Sequence, residues 1–381
     1  MTCKSTFLNR CDQLSGELSG AFADLGTFLP LVLGLIALNH FSPQGIFLGF
    51  GLFALFTAFY YRRPIPVQPM KVIAALVIAQ GLTPGMLQAS GMMMGIILLI
   101  LAYSGAISWM AKQLSPAVSI GIQLAIGLQL IWMGGQMMSE TWLIGITAFV
   151  ALFASKFMPL RYLAMPLVLI LGIIWQVNSG VAPSFDLTGH SSWQPSWPSL
   201  DEWTSAAGLL VLPQLALTLT NAVIAISAIA SEKFPCDKEK FTPKRLATSS
   251  GLANLLLAPF GATAMCHGAG GLAVQYHFGA RTWIAPTIFG SACLLIAVTW
   301  GDGIATMLSL IPLAILGSML AIAGTQLAWS KRLIDGRPFC IFVILSTAAI
   351  CLLVNTAAGL AVGIILETGR RQWKLVSDLI H

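Results

Sequence analysis

The chain is a succession of apolar runs, each near the length that crosses a bilayer, separated by short polar breaks. Fourteen candidate spans follow: 15–38, 44–61, 64–82, 90–111, 118–138, 141–156, 161–178, 205–230, 244–258, 261–280, 283–299, 303–325, 338–354 and 355–370. A helix needs about 20 mostly apolar residues to cross the hydrocarbon core. The pattern therefore predicts an all-α polytopic membrane protein. The surface chemistry agrees, because only 9% of the 381 residues are charged and 57% are hydrophobic. A soluble domain carries about 25% charged residues, so a soluble enzyme, a disordered chain and a secreted disulfide module are excluded. The 36 Gly and 19 Pro are ordinary for broken or closely packed membrane helices.

The placement of charge tests the count. With a cytoplasmic N-terminus, 19 of the 20 Lys and Arg fall in cytoplasmic segments, and the opposite loops hold Glu140, Asp186, Asp201, Glu202 and Asp302. Positive residues mark the cytoplasmic side, so both termini are expected there. The net charge of +6 is read as topology rather than as a nucleic-acid surface. The expected organisation is a cytoplasmic N-terminus (1–14), a first seven-span repeat (15–178), an external loop rich in Trp, Ser and Pro (179–204), a second seven-span repeat (205–370) and a cytoplasmic tail (371–381). Seven is odd, so the two halves have opposite orientation, the expectation for an inverted repeat. The polar N-terminus has no signal-peptide pattern. The seven Cys show no CxxC and the five His no ligand spacing, so no metal and no cofactor are expected.

Two spans cannot be continuous helices. Span 3 opens Pro64-Ile-Pro66-Val-Gln68-Pro69-Met70-Lys71. Proline lacks an N–H and biases its predecessor toward extended geometry. Extended residues cover about 3.3 Å each, so the piece 64–68 reaches roughly half way through the core before a helix starts near Pro69. Span 10 repeats the design with glycine: Pro259-Phe-Gly-Ala-Thr-Ala-Met-Cys266-His267-Gly268-Ala269-Gly270-Gly271. Because the halves are inverted, the two half-helices point their N-termini at each other. Each N-terminus carries about +0.5 charge and free N–H donors. With Lys71, the basic residue left inside a span, they form a dehydrated anion site.

Further polar residues lie in spans. Glu17 and Asp24 share a helical face with Gly20 and Thr27. Asp24 is near mid-depth and needs a partner or a proton. It is expected as a counter-ion to Lys71 or as a proton site, and Glu17 as a lesser coupling or interfacial carboxylate. Gln214, Thr218 and Asn221 follow i, i+4, i+7, either toward substrate or toward neighbouring helices. His267 is either a ligand or a packed, hydrogen-bonded histidine.

Four of these stretches carry a family resemblance. Glu17-Leu-Ser-Gly-Ala-Phe-Ala-Asp24-Leu-Gly-Thr-Phe-Leu-Pro30, Pro64-Ile-Pro-Val-Gln-Pro-Met-Lys71, Pro213-Gln-Leu-Ala-Leu-Thr-Leu-Thr-Asn221 and Cys266-His-Gly-Ala-Gly-Gly-Leu-Ala-Val-Gln275-Tyr-His-Phe-Gly-Ala-Arg281 resemble, in order, signatures of the molybdate transporter family, a branch of the sulfate permease superfamily. Ala23 and His277 depart from its pattern, and the second puts a cytoplasmic-side contact in doubt. The resemblance implies core and gate domains, an elevator-like motion, homodimers and import of an oxyanion. It implies a site lined by spans 1, 3, 8 and 10, hence by Gln68, Met70, Lys71, Gln214, Thr218, Asn221, Cys266, His267, Gly268, Ala269 and Gly270. The wider superfamily carries a C-terminal STAS domain, and none is expected after the last span. Compact loops suggest a bacterial inner membrane.

The expected function is secondary active import of molybdate, with a proton as the candidate co-substrate. Sulfate transport is an alternative, since the two anions share charge and shape. An uncoupled channel or exchanger on the same fold is another. An intramembrane enzyme is disfavoured, because the chain offers no HExxH and no Ser or Cys with a credible base. No nucleotide-binding motif is present.

Overall fold

The computed structural model describes residues 10–113, 115–158, 163–180, 197–299, 308–329 and 338–380. Most of the expected external loop, Asp186, Asp302, Arg161 and the basic cluster Lys331, Arg332 and Arg337 lie outside them. The described chain is almost entirely helical. Its elements are α1 (Arg10–Ala21), α2 (Leu25–Asn39), α3 (Pro43–Tyr61), β1 (Gln68–Pro69), α4 (Lys71–Gln80), α5 (Pro84–Ser104), α6 (Ile107–Gln113), α7 (Pro116–Ser139), α8 (Trp142–Ala154), α9 (Ala164–Ser179), α10 (Leu200–Lys233), α11 (Pro243–Leu257), β2 (Met265–Cys266), α12 (Ala269–His277), α13 (Ile284–Thr299), α14 (Leu313–Ala328), α15 (Pro338–Leu353) and α16 (Thr356–Ile380).

Five helical stretches are long and apolar enough to cross a membrane: Leu14–Asn39, Pro43–Tyr61, Pro84–Ser104, Pro116–Ser139 and Leu200–Lys233. Others are shorter. The first stretch is interrupted between α1 and α2, beside Asp24. The tail expected from 371 continues α16 to Ile380. Several starts follow from local chemistry. Ser42-Pro43, Thr83-Pro84, Ser115-Pro116 and Thr242-Pro243 each place a hydroxyl that accepts a backbone N–H of the first turn. Proline then occupies the first helical position, where no N–H is needed.

Glycine sets the closest packing. A Cβ on Gly127 would stand 2.6 Å from the Gly324 carbonyl oxygen, and one on Gly324 would stand 2.6 Å from that of Gly127. Gly134 and Gly317 repeat the contact one step along, in reverse order, so α7 and α14 cross antiparallel. Reciprocal pairs Gly51–Gly290 and Gly95–Gly251 join α3 to α13 and α5 to α11 in the same sense. Without a hydrophobic drive between helices in lipid, such backbone approach maximises dispersion contact. Exchanging α3 with α11 and α5 with α13 maps one of these pairs onto the other, and exchanging α7 with α14 maps their pair onto itself.

Candidate functional site

The two broken spans meet at the centre. After α3, Arg62 adopts a left-handed conformation (φ 55°) and its N–H caps the helix at Ala58. The proline-rich piece turns at Pro64, where the Ile65 N–H donates to the Arg63 carbonyl at 2.8 Å, and runs without helix to β1. β1 and β2 pair antiparallel, Gln68 opposite Cys266 and Pro69 opposite Met265, and the Met70 N–H donates to the Ala264 carbonyl at 2.8 Å. On its other edge β2 is held by Asn254, whose Oδ1 accepts from the Met265 N–H at 2.7 Å and whose Nδ2 donates to the Met265 carbonyl at 2.6 Å. Irregular backbone in a membrane must find such partners, since an unsatisfied group costs several kcal/mol there. The half-helices α4 and α12 leave this miniature sheet with their N-termini inward.

Their first turns differ. In α4 the Val72 and Ile73 N–H groups donate to Gln214 Oε1 at 2.9 and 3.3 Å, and Gln214 Nε2 donates to Thr218 Oγ1 at 2.9 Å. Gln214 and Thr218 are buried behind the site, and Asn221 alone of the three lines the cavity. The expected single α-helical face is altered because α10 widens into π-helix over Thr218–Ala225. In α12 the Ala269, Gly270 and Gly271 amides make no hydrogen bond recorded among the described residues. Gly270 is exposed to the cavity with nothing within 4 Å of a hypothetical Cβ. Gly268 and Gly271 instead lie against the Gln68 amide, which leaves no room for a Cβ.

A cavity of ≈160 Å³ opens between these elements and the α7–α14 pair. Lys71, Asn221 and Gly270 line it, with Thr27, Gln123 and Gln326. Lys71 is the one charged residue on its wall among the described residues. Asp24 faces a neighbouring cavity of ≈230 Å³, and its Oδ2 accepts a hydrogen bond from Gln68 Nε2. No ion pair within 4.0 Å joins Asp24 to Lys71 among the described residues.

Other expected site residues sit in the frame rather than on the cavity. Met70 and His267 are fully buried, and Gln68, Cys266 and Ala269 nearly so. His267 Nδ1 lies 3.0 Å from the Pro66 carbonyl, which can only accept, so that nitrogen carries the proton. Ser249 Oγ is 2.8 Å from Nε2 and 2.7 Å from the Tyr61 hydroxyl. His267 therefore ties the extended piece of the first half to α11. Glu17 is paired with no cation side chain among the described residues. It is buried, and its carboxylate accepts the backbone N–H groups of Arg281, Thr282 and Ala285 at 3.0, 2.9 and 3.2 Å, capping the entry to α13. Nearby, Arg63 Nε donates to Asp237 Oδ2 at 2.8 Å, and Lys240 pairs with the same carboxylate at 2.7 Å. Burial opposes ionisation of Asp237, but these two partners outweigh it and hold the carboxyl below its usual range.

Sequence reasoning omitted Gln123, Gln326 and Asn254. Gln123 and Asn254 are polar residues inside expected spans, the signal that pointed to Gln214, whereas Gln326 falls just past the expected span 303–325 and lies in α14.

Known proteins share this fold and family. A family model described as "Molybdate transporter of MFS superfamily" matches residues 16–130 and 206–327. Molybdate transporter 2 of Arabidopsis thaliana is 30% identical, over 93% of this chain and 86% of the relative. Molybdate transporter 1 of Chlamydomonas reinhardtii is 26% identical, over 92% and 90%. In fold, the chain is similar to the transmembrane domain of the cyanobacterial bicarbonate transporter BicA (TM-score 0.63, 16% identity, 93% of this chain and 98% of that one). It is also similar to murine Slc26a9, an anion transporter in the inward-facing state (TM-score 0.68, 14% identity, 98% and 73%). The family description carries the MFS label, while the architecture is the one shared with BicA and Slc26a9. These relatives are transporters rather than enzymes, and the match runs through both broken spans: the chain is an integral membrane protein that belongs to the molybdate transporter family.

Proposed function

We propose that the protein is a secondary active importer of a tetrahedral oxyanion, molybdate, bound in the cavity between the Lys71 ammonium and the free amides of Ala269, Gly270 and Gly271. One observation carries this reading: the cavity wall has a single cation, no carboxylate among the described residues and a half-helix N-terminus. Such a site favours an anion stripped of water. The volume suits one small oxyanion with a few waters, at about 30 Å³ of liquid volume per water.

The antiparallel crossing of α7 and α14, and the exchange symmetry of the other glycine pairs, support a seven-plus-seven inverted repeat. In that reading the β1–α4 and β2–α12 units belong to a core, and α7 and α14 to a gate, and access alternates as one moves against the other. The charge pattern supports cytoplasmic termini. A bacterial inner membrane and a homodimer complete the proposal. Asp24 acts as a longer-range counter-ion to Lys71, and its hydrogen bond orients Gln68 against α12.

The test is uptake by purified protein in proteoliposomes. Molybdate uptake is expected, with competition by sulfate measuring selectivity, and Lys71→Ala should abolish it. Unchanged uptake in that variant removes Lys71 from the site. A proton gradient that drives uptake in wild type but not in Asp24→Asn supports symport, and indifference to both supports a channel or exchanger.

A further inference from the structure

The binding cavity has two walls. One is built from the broken spans and α10, with Lys71, Gly270 and Asn221. The other is the α7–α14 pair, which contributes Gln123 and Gln326. The two glutamines are not equivalent. Gln123 Nε2 donates to the Ser119 carbonyl and hydroxyl, both at 3.2 Å, so its donors are committed within α7. Gln326 is exposed, and its side chain makes no hydrogen bond recorded among the described residues. Gln326 also borders the second cavity, where Asp24 and Ser155 lie. Of the residues lining the two cavities, Thr27 and Gln326 are common to both.

We infer that Gln326 is a substrate-contact residue, donating its amide N–H groups to the oxyanion from the wall opposite Lys71, and that Thr27 and Gln326 form the passage between the two cavities. This rests on the transport reading above. An anion leaving the Lys71 cavity by this route passes from a wall whose one charge is positive to one that carries Asp24. Direct entry is opposed by like charge, so neutral donors are needed where the cavities join. Of the two polar side chains at that junction, Thr27 is directed to the Asp24 carboxylate, and Gln326 is the one with open donors. A second cation there would hold the anion too firmly to release it, whereas an amide supplies donors without fixed charge. Asp24 and Ser155 then belong to the exit vestibule on the side that the basic residues mark as cytoplasmic.

The experiment uses the full-length purified protein. Molybdate binding is measured by calorimetry, and molybdate uptake into proteoliposomes by elemental analysis, for wild type, Lys71→Ala, Gln326→Leu, Gln326→Asn and Gln326→Glu. A hydrogen bond to a charged group is lost in Gln326→Leu, so Kd should rise about 10-fold. The introduced carboxylate in Gln326→Glu should raise it on the order of 100-fold. Gln326→Asn keeps the amide on a shorter stem and should fall between wild type and Gln326→Leu, which guards against a folding defect in any one variant. The inference is overturned if all three Gln326 variants bind and transport as wild type while Lys71→Ala loses both. If wild type binds neither molybdate nor sulfate, the transport reading fails, and this inference with it.

Discussion

The two half-helices meet at one cavity and have matched geometry, yet in the proposed reading they serve an anion by different means. In α4 the helix dipole is already answered, because Gln214 accepts the Val72 and Ile73 N–H groups. What α4 offers is the Lys71 side chain. In α12 there is no cation, but the amides of residues 269–271 are left open beside a cavity-facing Gly270. A charge attracts from a distance and tolerates imprecise placement, while a row of amides demands close approach. In the proposed reading one half-helix therefore supplies attraction and the other supplies fit.

That division can be broken experimentally. The largest effect is expected for Lys71→Met, which should raise the molybdate Kd by 100-fold or more, on the order of 3 kcal/mol, with little change in thermal stability. Next come the two glycines. Gly268→Ala drives a Cβ into the Gln68 amide, and overpacking of this kind costs about 1–3 kcal/mol, read as a lower Tm. Gly270→Ala meets nothing within 4 Å, so its Tm should hold while binding weakens as the methyl occupies the approach to the amides. Equal behaviour of these two variants would contradict the assignment of fit to α12. Gln214→Leu leaves two buried N–H donors unpaired, at about 1–3 kcal/mol each; the expected outcome is lost stability rather than lost selectivity. If it tightens anion binding instead, the freed amides have joined the site, and the asymmetry is only a matter of capping.

The smallest effect is expected outside the spans. Asp237 is held by Lys240 and Arg63, so its folded pKa lies below the usual value of 3.8. A depressed carboxylate contributes stability that is present above the unfolded pKa and lost as pH falls through the folded one. Asp237→Asn should therefore destabilise by about 1 kcal/mol or less, equally at pH 6 and pH 8. A denaturation series at the two pH values checks this, and a difference between them would point to another titrating group.

The membrane-helical character of the fold is legible in the sequence because lipid demands long apolar stretches, five of which are long enough to cross a membrane, the others being shorter. The proline run before Lys71 and the glycine run after His267 announce broken helices by backbone chemistry alone, and β1–α4 and β2–α12 lie where those runs end. The shared face of Gln214, Thr218 and Asn221 is less legible, since periodicity assumes an α-helix and α10 contains a π stretch. His267 illustrates a second limit. The sequence leaves it open as a ligand or a packed histidine, and only the contacts decide: its ring fastens Pro66 to Ser249. Glu17 is similar, because nothing local reveals that Arg281, Thr282 and Ala285 would bring their amides to it from more than 260 residues away.

What the sequence by itself determined is which segments cannot be ordinary membrane helices and where a lone cation must be accommodated. Both follow from local rules: missing N–H groups, and the cost of charge in hydrocarbon. What only the tertiary structure decided is which of the polar residues so marked face the cavity. That depends on contacts between distant segments, where each donor goes to the nearest acceptor that packing provides. Gln214 meets the start of α4, Gln68 meets Asp24, and Gln326 meets no partner among the described residues.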